Sequence, residues 1–415
     1  MTTTTKALNL RKHWELSLEG MAPLPAPTTT PSGSGIDFIH TGPGTLAGRY
    51  LRRFWQPVFI GELLEPGHAK PIRILGEDLT LYRGQSGQPH LVGHRCAHRR
   101  TQLSAGTVEG DDIRCLYHGW KYAPDGQCIE QPAEKHEAFA GRIRIAGYPV
   151  REYLGLVFAY MGEGEPPAFP RYPDFEDPDV LVHVAEQTYL RRTNYFQAIE
   201  NVADPAHVGF AHLGFQGNYD GKVDSPTPFA EETPWGLKLG ARRDSGKERW
   251  HQFGMPNVNH QYAFSYHAGR IEILVWFVPV DDEQHLNISL SRVPLKGEAA
   301  ERYIDKTNET FAKMANAPTP LAEEILAGRQ RLADVDRTKV HAVTLEDHVA
   351  MVGQGRITDR GVENLGGSDA SIILMRRLWE RELKALAEGK PLTTWKREPG
   401  LQPSEWRDVT PENTG

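Results

Sequence analysis

Four side chains in two short clusters constrain this chain more than any other feature. Cys96-Ala97-His98 is followed, after sixteen residues, by Cys115-Leu116-Tyr117-His118, with Gly119-Trp120 directly behind. Each cluster offers one thiol and one imidazole. Such a mixed set suits a [2Fe–2S] centre in which two Cys bind one iron and two His replace Cys on the other. Two loop tips would deliver Cys96 and Cys115 to one iron, and His98 and His118 to the other. The alternative for two Cys and two His is a structural zinc site. Zinc fingers usually keep the Cys pair and the His pair apart; here each half mixes them, which favours the iron–sulfur centre. Gly119 to Tyr122 reads as a short strand and Pro124-Asp125-Gly126 as a turn. Cys128, beyond that turn, is expected to be a small buried hydrophobe. His94, just outside the motif, is expected to be structural or solvent-facing.

A second constellation lies about eighty residues on, in Glu200-Asn201-Val202-Ala203-Asp204-Pro205-Ala206-His207-Val208-Gly209-Phe210-Ala211-His212. Two His and one carboxylate around an open coordination face are the signature of a non-heme Fe(II) site that activates oxygen. His207 and His212 are the candidate imidazoles. On an unbroken helix five residues rotate by about 500°, which leaves the two side chains about 140° apart. One metal can take both only if the helix ends or bulges, and Pro205 and Gly209 supply reasons for that. Asn201, Asp204 and His207 follow at intervals of three and can share a face. Taken alone, the His pair equally fits an ordinary polar helix; the cluster motif upstream tips the reading to metal. The carboxylate must come from farther along. In a helix expected over Thr338–Met351, Val340, Val343, Asp347, Ala350 and Met351 form one stripe, and Asp347 interrupts it. An unpaired buried carboxylate is costly, and ligation would relieve the cost. Glu346 is nearly as well placed, Asp359 is a weaker rival, and periodicity does not separate Asp347 from Glu346.

The 415 residues suffice for two domains. A net charge of −7 argues against nucleic acid or an anionic membrane as partner. No run of eighteen apolar residues suggests a membrane span, and no leader pattern opens the chain. Three cysteines, two of them assigned to a metal, fit a reducing cytoplasm. Residues 1–45 read as an arm and a Pro/Thr/Ser/Gly linker, with a short amphipathic helix at Leu8–Leu18. Residues 46–163 read as a small antiparallel β domain. A basic helical segment at Gly48–Phe54 precedes a strand at Pro57–Ile60. A hairpin follows, with strands Pro71–Leu75 and Leu79–Tyr82 around Gly76-Glu77-Asp78. Further strands are expected at His90–His94, Arg142–Ile145 and Leu156–Tyr160. Residues 164–391 read as a sheet followed by helices. Strands are expected at Val180–Val184, Thr188–Arg192, Trp235–Leu239, Tyr262–His267, Ile271–Val280 and Leu286–Val293. Helices are expected at Glu301–Met314, Pro320–Leu332, Thr338–Met351 and Ser371–Glu388. This is an α+β arrangement. The polar tail, 392–415, is expected to wrap a surface or a partner subunit.

With both motifs in this order, the chain resembles the Rieske non-heme iron oxygenases, in their large oxygenase subunit, over roughly residues 45–385. The resemblance implies a helix-grip (START-like) catalytic domain behind an antiparallel β Rieske domain. It implies a Rieske [2Fe–2S] cluster, a mononuclear Fe(II), and O2 as co-substrate. It also implies Asp347 as the third ligand, since similar proteins carry a Glu-Asp pair here and use the Asp. Electrons would come from NAD(P)H through a flavin/iron–sulfur reductase, with or without a ferredoxin. No dinucleotide-binding glycine fingerprint follows a strand in this chain. Asp204 is implied to bridge His207 and the cluster's His118 of a neighbouring subunit, in a homotrimer or stacked trimers. Asn201 and Asp204 are thus expected beside the metal rather than on it. The segment Glu363–Asp369 points to the phthalate-dioxygenase-like branch, which hydroxylates small aromatic acids and aryl ethers. An O-demethylase of a methoxyaromatic acid is the neighbouring reading. A pure electron-transfer ferredoxin and a zinc-stabilised binding module are the readings from other classes.

Overall fold

The structure, a computed structural model, describes residues 35–134, 137–185, 188–212, 226–314, 318–398 and 402–408. The helix expected at Leu8–Leu18 lies outside them. The described residues form two compact units, one of residues 41–172 and one of residues 35–40 with 173 onward. No helix among the described residues is long and apolar enough to cross a membrane.

The first unit opens with helix α1 (Leu46–Leu51), whose Thr45 side chain accepts a hydrogen bond from the Gly48 N–H. Its strands are β1 (Gln56–Ile60), β2 (Ala69–Ile74), β3 (Glu77–Arg83), β4 (Pro89–Gly93), β5 (Thr107–Glu109), β6 (Asp112–Arg114), β7 (Lys121–Tyr122), β8 (Cys128–Glu130), β9 (Gly147–Tyr148), β10 (Val150–Tyr153) and β11 (Leu156–Ala159). They pair antiparallel in three small sheets, ordered β1-β11-β10, β2-β3-β4-β9 and β5-β6-β7-β8. The β2–β3 turn is shorter than the sequence suggests. Ile74 pairs with Glu77, so Leu75-Gly76 alone make the turn. Both have positive φ, the geometry that matches strand twist in a two-residue hairpin. The strand expected at Arg142–Ile145 is absent. A 3-10 turn occupies 137–142, and only Arg144 bridges, to Gln127. Ile143 and Ile145 instead pack sideways against the core that holds Cys96 and Cys115.

The two cluster loops are built alike. In each, the Cys N–H bonds the carbonyl five residues on, Cys96 to Thr101 and Cys115 to Trp120. In each, the residue four beyond the Cys returns its N–H to the Cys carbonyl, and that residue, Arg100 or Gly119, has positive φ. Only Gly fits at the second position without strain, because a Cβ there would also meet Pro132 Cγ at 2.7 Å. The thiols face an apolar core of Tyr82, Val92, Leu103, Ile113, Trp120 and Tyr122. Cys128 is buried in the same core, as expected. His94 is buried and structural, its Nδ1 facing the Leu79 carbonyl.

The second unit is built on one antiparallel sheet. Its strands are β12 (Leu181–Val184), β13 (Tyr189–Arg191), β14 (Thr227–Thr233), β15 (Gly236–Arg242), β16 (Lys247–Gly254), β17 (Val258–Ser265), β18 (Gly269–Asp281), β19 (Gln284–Val293) and β20 (Ser404–Asp408). The order is β12-β19-β18-β17-β16-β15-β14, with β13 also on β19 and β20 on β16. From Ile271 to Asp281 β18 is buried on both faces, as its apolar run predicts. Strands β14 and β16 escaped the sequence reading because Glu231-Glu232 and Lys247-Glu248-Arg249 break their alternation. The tail lies on its own chain: Ser404–Asp408 pairs with β16, and Trp250 Nε1 donates to the Gln402 carbonyl. The helices are α2 (Tyr195–Ala203), α3 (His207–Ala211), α4 (Gly297–Lys313), α5 (Pro318–Leu326), α6 (Ala342–Gly353) and α7 (Ala370–Ala387). Helix α2 lies against β18 and α7, and α6 lies against α2, α3 and α5. Residues 35–40 lock onto the start of α2, where Asn194 Nδ2 donates to the Ile39 carbonyl and Tyr195 Oη to that of Phe38.

Candidate metal centres

The first centre sits between the two cluster loops. Cys96 and Cys115 are buried, and burial pushes the Cys115 thiol up. Buried thiols of this kind ionise when a cation takes the charge. The Tyr122 hydroxyl accepts the Ala97 N–H at 3.0 Å and lies 3.2 Å from Cys96 Sγ, where it can donate its own proton. The His98 and His118 rings stand edge to face, 4.4 Å apart, and His98 stacks on Trp120. Nδ1 of His98 is buried and has no hydrogen-bond partner. Two thiols on one side, two imidazoles on the other and an orphaned ring nitrogen fit the mixed ligand set of a Rieske centre. Tyr122 went unread as part of this site because its hydroxyl reaches Cys96 only after the β7 hairpin folds back.

The second centre depends on a broken helix. Helix α2 ends at Ala203 because Asp204 precedes Pro205 and is driven to extended backbone, φ −99° and ψ 104°. The Asp204 carboxylate then accepts the Ala206 and His207 N–H groups at 2.7 and 3.4 Å and starts α3. His207 opens that short helix, and His212 lies just past its end in non-helical backbone. The 140° problem therefore does not arise, and the two rings stand 5.5 Å apart. From α6, Asp347 Oδ1 approaches His212 Nε2 at 3.3 Å and His207 Nε2 at 3.8 Å. One donor atom from each of the three lies within 4.8 Å of the others. Two imidazole nitrogens and one carboxylate oxygen converging in this way fit a divalent iron with positions left open.

Glu346, the rival acid, lies on the other side of His212. Its Oε2 meets His212 Nδ1 at 2.9 Å, and Oε1 lies 2.7 Å from an Arg337 guanidinium nitrogen. Successive helical residues diverge by about 100°, so neighbouring acids can face opposite nitrogens of one ring. Glu346 thereby holds a proton on Nδ1, and Nε2 is the nitrogen that faces Asp347 and is left for a metal. Burial opposes the His212 charge, but hydrogen bonds to Asp347 and Glu346 raise its pKa to about 9 in the metal-free chain. A metal ion arriving at Nε2 must then displace a proton. The apolar stripe that pointed to Asp347 is not the one observed. Val343 is only half-buried and Ala350 is exposed, whereas Leu345, Glu346 and His348 are buried. Helix α6 is covered on several sides, which erases a single stripe.

The remaining motif residues divide by role. Asn201 Nδ2 faces Asp347 Oδ1 at 3.5 Å, and Asp204 Oδ2 faces His207 Nδ1 at 3.5 Å. Glu200 turns away and forms ion pairs with Arg360 and Arg376, so it is structural. Asp359 caps a 3-10 turn, accepting the Gly361 N–H.

The Rieske [2Fe-2S] domain family matches residues 54–153. The chain is 30% identical over 371 residues to the 5,5'-dehydrodivanillate O-demethylase oxygenase subunit of Sphingobium sp. strain SYK-6, covering 87% of this chain and 82% of that subunit. It is 33% identical over 371 residues to the phenoxybenzoate dioxygenase subunit alpha of Ectopseudomonas oleovorans, covering 83% and 84%. Among solved structures, the oxygenase in the reduced oxygenase–ferredoxin complex of carbazole 1,9a-dioxygenase matches with a TM-score of 0.59 at 22% identity, over 82% of this chain and 93% of that one.

Replacing His207, His212 or Asp347 by Ala is expected to remove one iron per chain and abolish turnover while leaving the cluster's absorption unchanged. Glu346→Gln is expected to keep that iron but weaken it roughly 10–100-fold. Iron analysis after dialysis against a chelator checks both. Iron lost in Glu346→Ala and kept in Asp347→Ala would reverse the assignment.

Proposed function

The chain belongs to the Rieske non-heme iron oxygenases as a large (alpha) oxygenase subunit, and from that premise we propose that it removes a methyl group from a methoxylated aromatic acid. Like its family it uses a Rieske [2Fe–2S] cluster, a mononuclear iron and dioxygen, and it takes electrons from a protein partner. We assign residues 46–163 to the cluster domain and 164–391 to the iron domain. Cys96, His98, Cys115 and His118 would hold the cluster; His207, His212 and Asp347 would hold the iron. The observation that carries the oxygenase reading is the convergence of those last three side chains, two imidazoles and one carboxylate, on one point.

When bound, the iron supplies oxygen activation, and the cluster supplies electrons one at a time. The chain's own residues do the rest. Glu346 accepts the His212 Nδ1 proton and fixes that ring's tautomer, with Arg337 holding the Glu346 charge in place. Asn201 presents its amide to Asp347, which fixes one carboxylate oxygen. Asp204 both caps α3 and orients His207.

The substrate class rests on the named relatives: one is an O-demethylase of a divanillate, the other a dioxygenase of a phenoxybenzoate, and both names describe aryl ethers of aromatic acids. Demethylation balances as ArOCH3 + O2 + NAD(P)H + H+ giving ArOH + CH2O + NAD(P)+ + H2O. Hydroxylation of the methoxy carbon gives a hemiacetal that expels formaldehyde. The reducing equivalents would pass through a flavin/iron–sulfur reductase. Ring dioxygenation is the second reading, favoured by the phenoxybenzoate relative. With a generic reductase and a panel of methoxybenzoates, formaldehyde is expected in equal amount to oxygen consumed. A diol without formaldehyde would move the assignment to dioxygenation.

We further propose a homotrimer closed head to tail, in which Asp204 of one subunit also reaches His118 of the next. Asp204→Asn keeps the shape and the capping oxygen. It is expected to stay trimeric with both metals and to slow cluster-to-iron electron transfer at least about tenfold. Single-turnover stopped-flow of the pre-reduced protein checks this. Wild-type rates in the variant, or a fully active monomer, would reject the bridge.

A further inference from the structure

The second unit carries a buried cation with no anion paired to it. Arg191, on β13, is 3% exposed, and no carboxylate among the described residues lies within ion-pair distance of it. Its partners are neutral. Nη1 donates to Met351 Sδ at 3.1 Å, Nη2 donates to the Tyr189 hydroxyl, and Nε is buried without a partner. A guanidinium keeps its charge inside a protein, and an ion buried without a counterion is costly. The fold retains it all the same, so the charge itself needs an account.

The geometry says where that charge acts. Side chains alternate along a strand, so Tyr189 and Arg191 leave β13 on one face. That face meets α6: the Tyr189 ring stands 5.0 Å from that of His348, and Arg191 reaches Met351. Met351 lies one helical turn beyond Asp347, so the two share a face of α6, with about 5–6 Å between their Cβ atoms. The guanidinium thus sits one turn along α6 from the candidate iron ligand, and its field reaches that ligand. Burial opposes the Asp347 charge; the hydrogen bond to His212 and then the Arg191 charge hold the carboxyl below its ordinary value. The imidazoles around Arg191 are neutral. Burial first, and the guanidinium second, push His285, its cross-strand partner on β19, down to about 3, and push His348 well below the usual imidazole range. Neutral neighbours do not cancel the charge. A side chain this deeply buried is also closed to a substrate carboxylate, so it acts through space.

We propose that Arg191 is a fixed charge that sets the reduction potential of the mononuclear iron, acting across Asp347 to favour the ferrous state. This rests on the iron assignment above and deepens it. A ferric ion carries one more positive charge than a ferrous ion, so a buried cation nearby disfavours the ferric form more. Salt screens a buried pair far less than a surface pair. The electron count is simple. One electron leaves the reduced cluster and one enters the ferric ion, while the guanidinium gains and loses nothing. A higher potential at the iron site favours transfer in that direction.

The test is a redox titration of the holoenzyme that follows the ferric mononuclear signal by electron paramagnetic resonance, apart from the cluster signal. Arg191→Met keeps the apolar stem and removes the charge. Arg191→Gln also keeps N–H donors for Tyr189 and Met351, and serves if the Met variant does not fold. At a fixed potential each is expected to raise the ferric-to-ferrous ratio roughly tenfold, a fall of about 59 mV for a one-electron couple, with the cluster potential unchanged. Arg191→Lys keeps the charge and is expected to stay close to the wild type. An unchanged ratio in the folded neutral variants, or a Lys variant that shifts as far as they do, overturns the inference and leaves Arg191 a packing residue. A folded neutral variant that loses its iron overturns it too, since removing a like charge does not weaken the hold on a cation. If neither neutral variant folds, a wild-type ratio in Arg191→Lys supports the inference and a shift of about tenfold there rejects it. Iron analysis of the wild type decides the iron assignment separately; the difference between charged and neutral variants concerns Arg191 alone.

Discussion

The iron site depends on α2 stopping at Ala203. A continued helix would send His207 and His212 to opposite sides, and no single metal would reach both. Pro205 forces Asp204 out of helical backbone, and the Asp204 carboxylate caps the new start. One residue thus ends a helix, begins another and stands beside a ligand. The break sets the entry direction of the two imidazoles, and α6 needs only to present a carboxylate to the gap. It presents two in succession, one on each nitrogen of His212. The pair fixes the ring's orientation, and with a metal on Nε2 the proton would stay on Nδ1 against Glu346.

The cluster loops follow a different economy of parts. Both are five-residue turns closed by the Cys backbone, with a left-handed residue at the same place. The thiols sink into an apolar core and the imidazoles stay nearer the surface, with Leu116 and Tyr117 exposed beside them. The two centres therefore differ in the charge they accept. A buried thiolate pair needs a highly charged cluster, whereas two neutral imidazoles and one carboxylate suit a single divalent ion.

Much of this was legible in the sequence because metal ligation demands specific atoms at specific spacings. Cys96, His98, Cys115 and His118 are readable without any fold, and the need for a helix break between His207 and His212 follows from the pitch alone. The choice between Glu346 and Asp347 does not. Both acids face inward, and only the position of the His212 ring, set by another part of the chain, shows which nitrogen each one meets. Helix α6 has no single buried stripe because α2, α3 and α5 all cover it. Strands β14 and β16 hid behind surface charges, and Arg142–Ile145 imitated a strand while serving as side packing for the cluster core.

The central claim is that one chain carries two chemically distinct iron sites. Metal and acid-labile sulfide analysis of the purified protein, combined with electron paramagnetic resonance of the dithionite-reduced state, tests it most directly. The account predicts about three iron and two sulfide per chain, no zinc, and a reduced signal of the mixed Cys/His type rather than the all-Cys type. Stoichiometric zinc without sulfide, or an all-Cys signal, would contradict it.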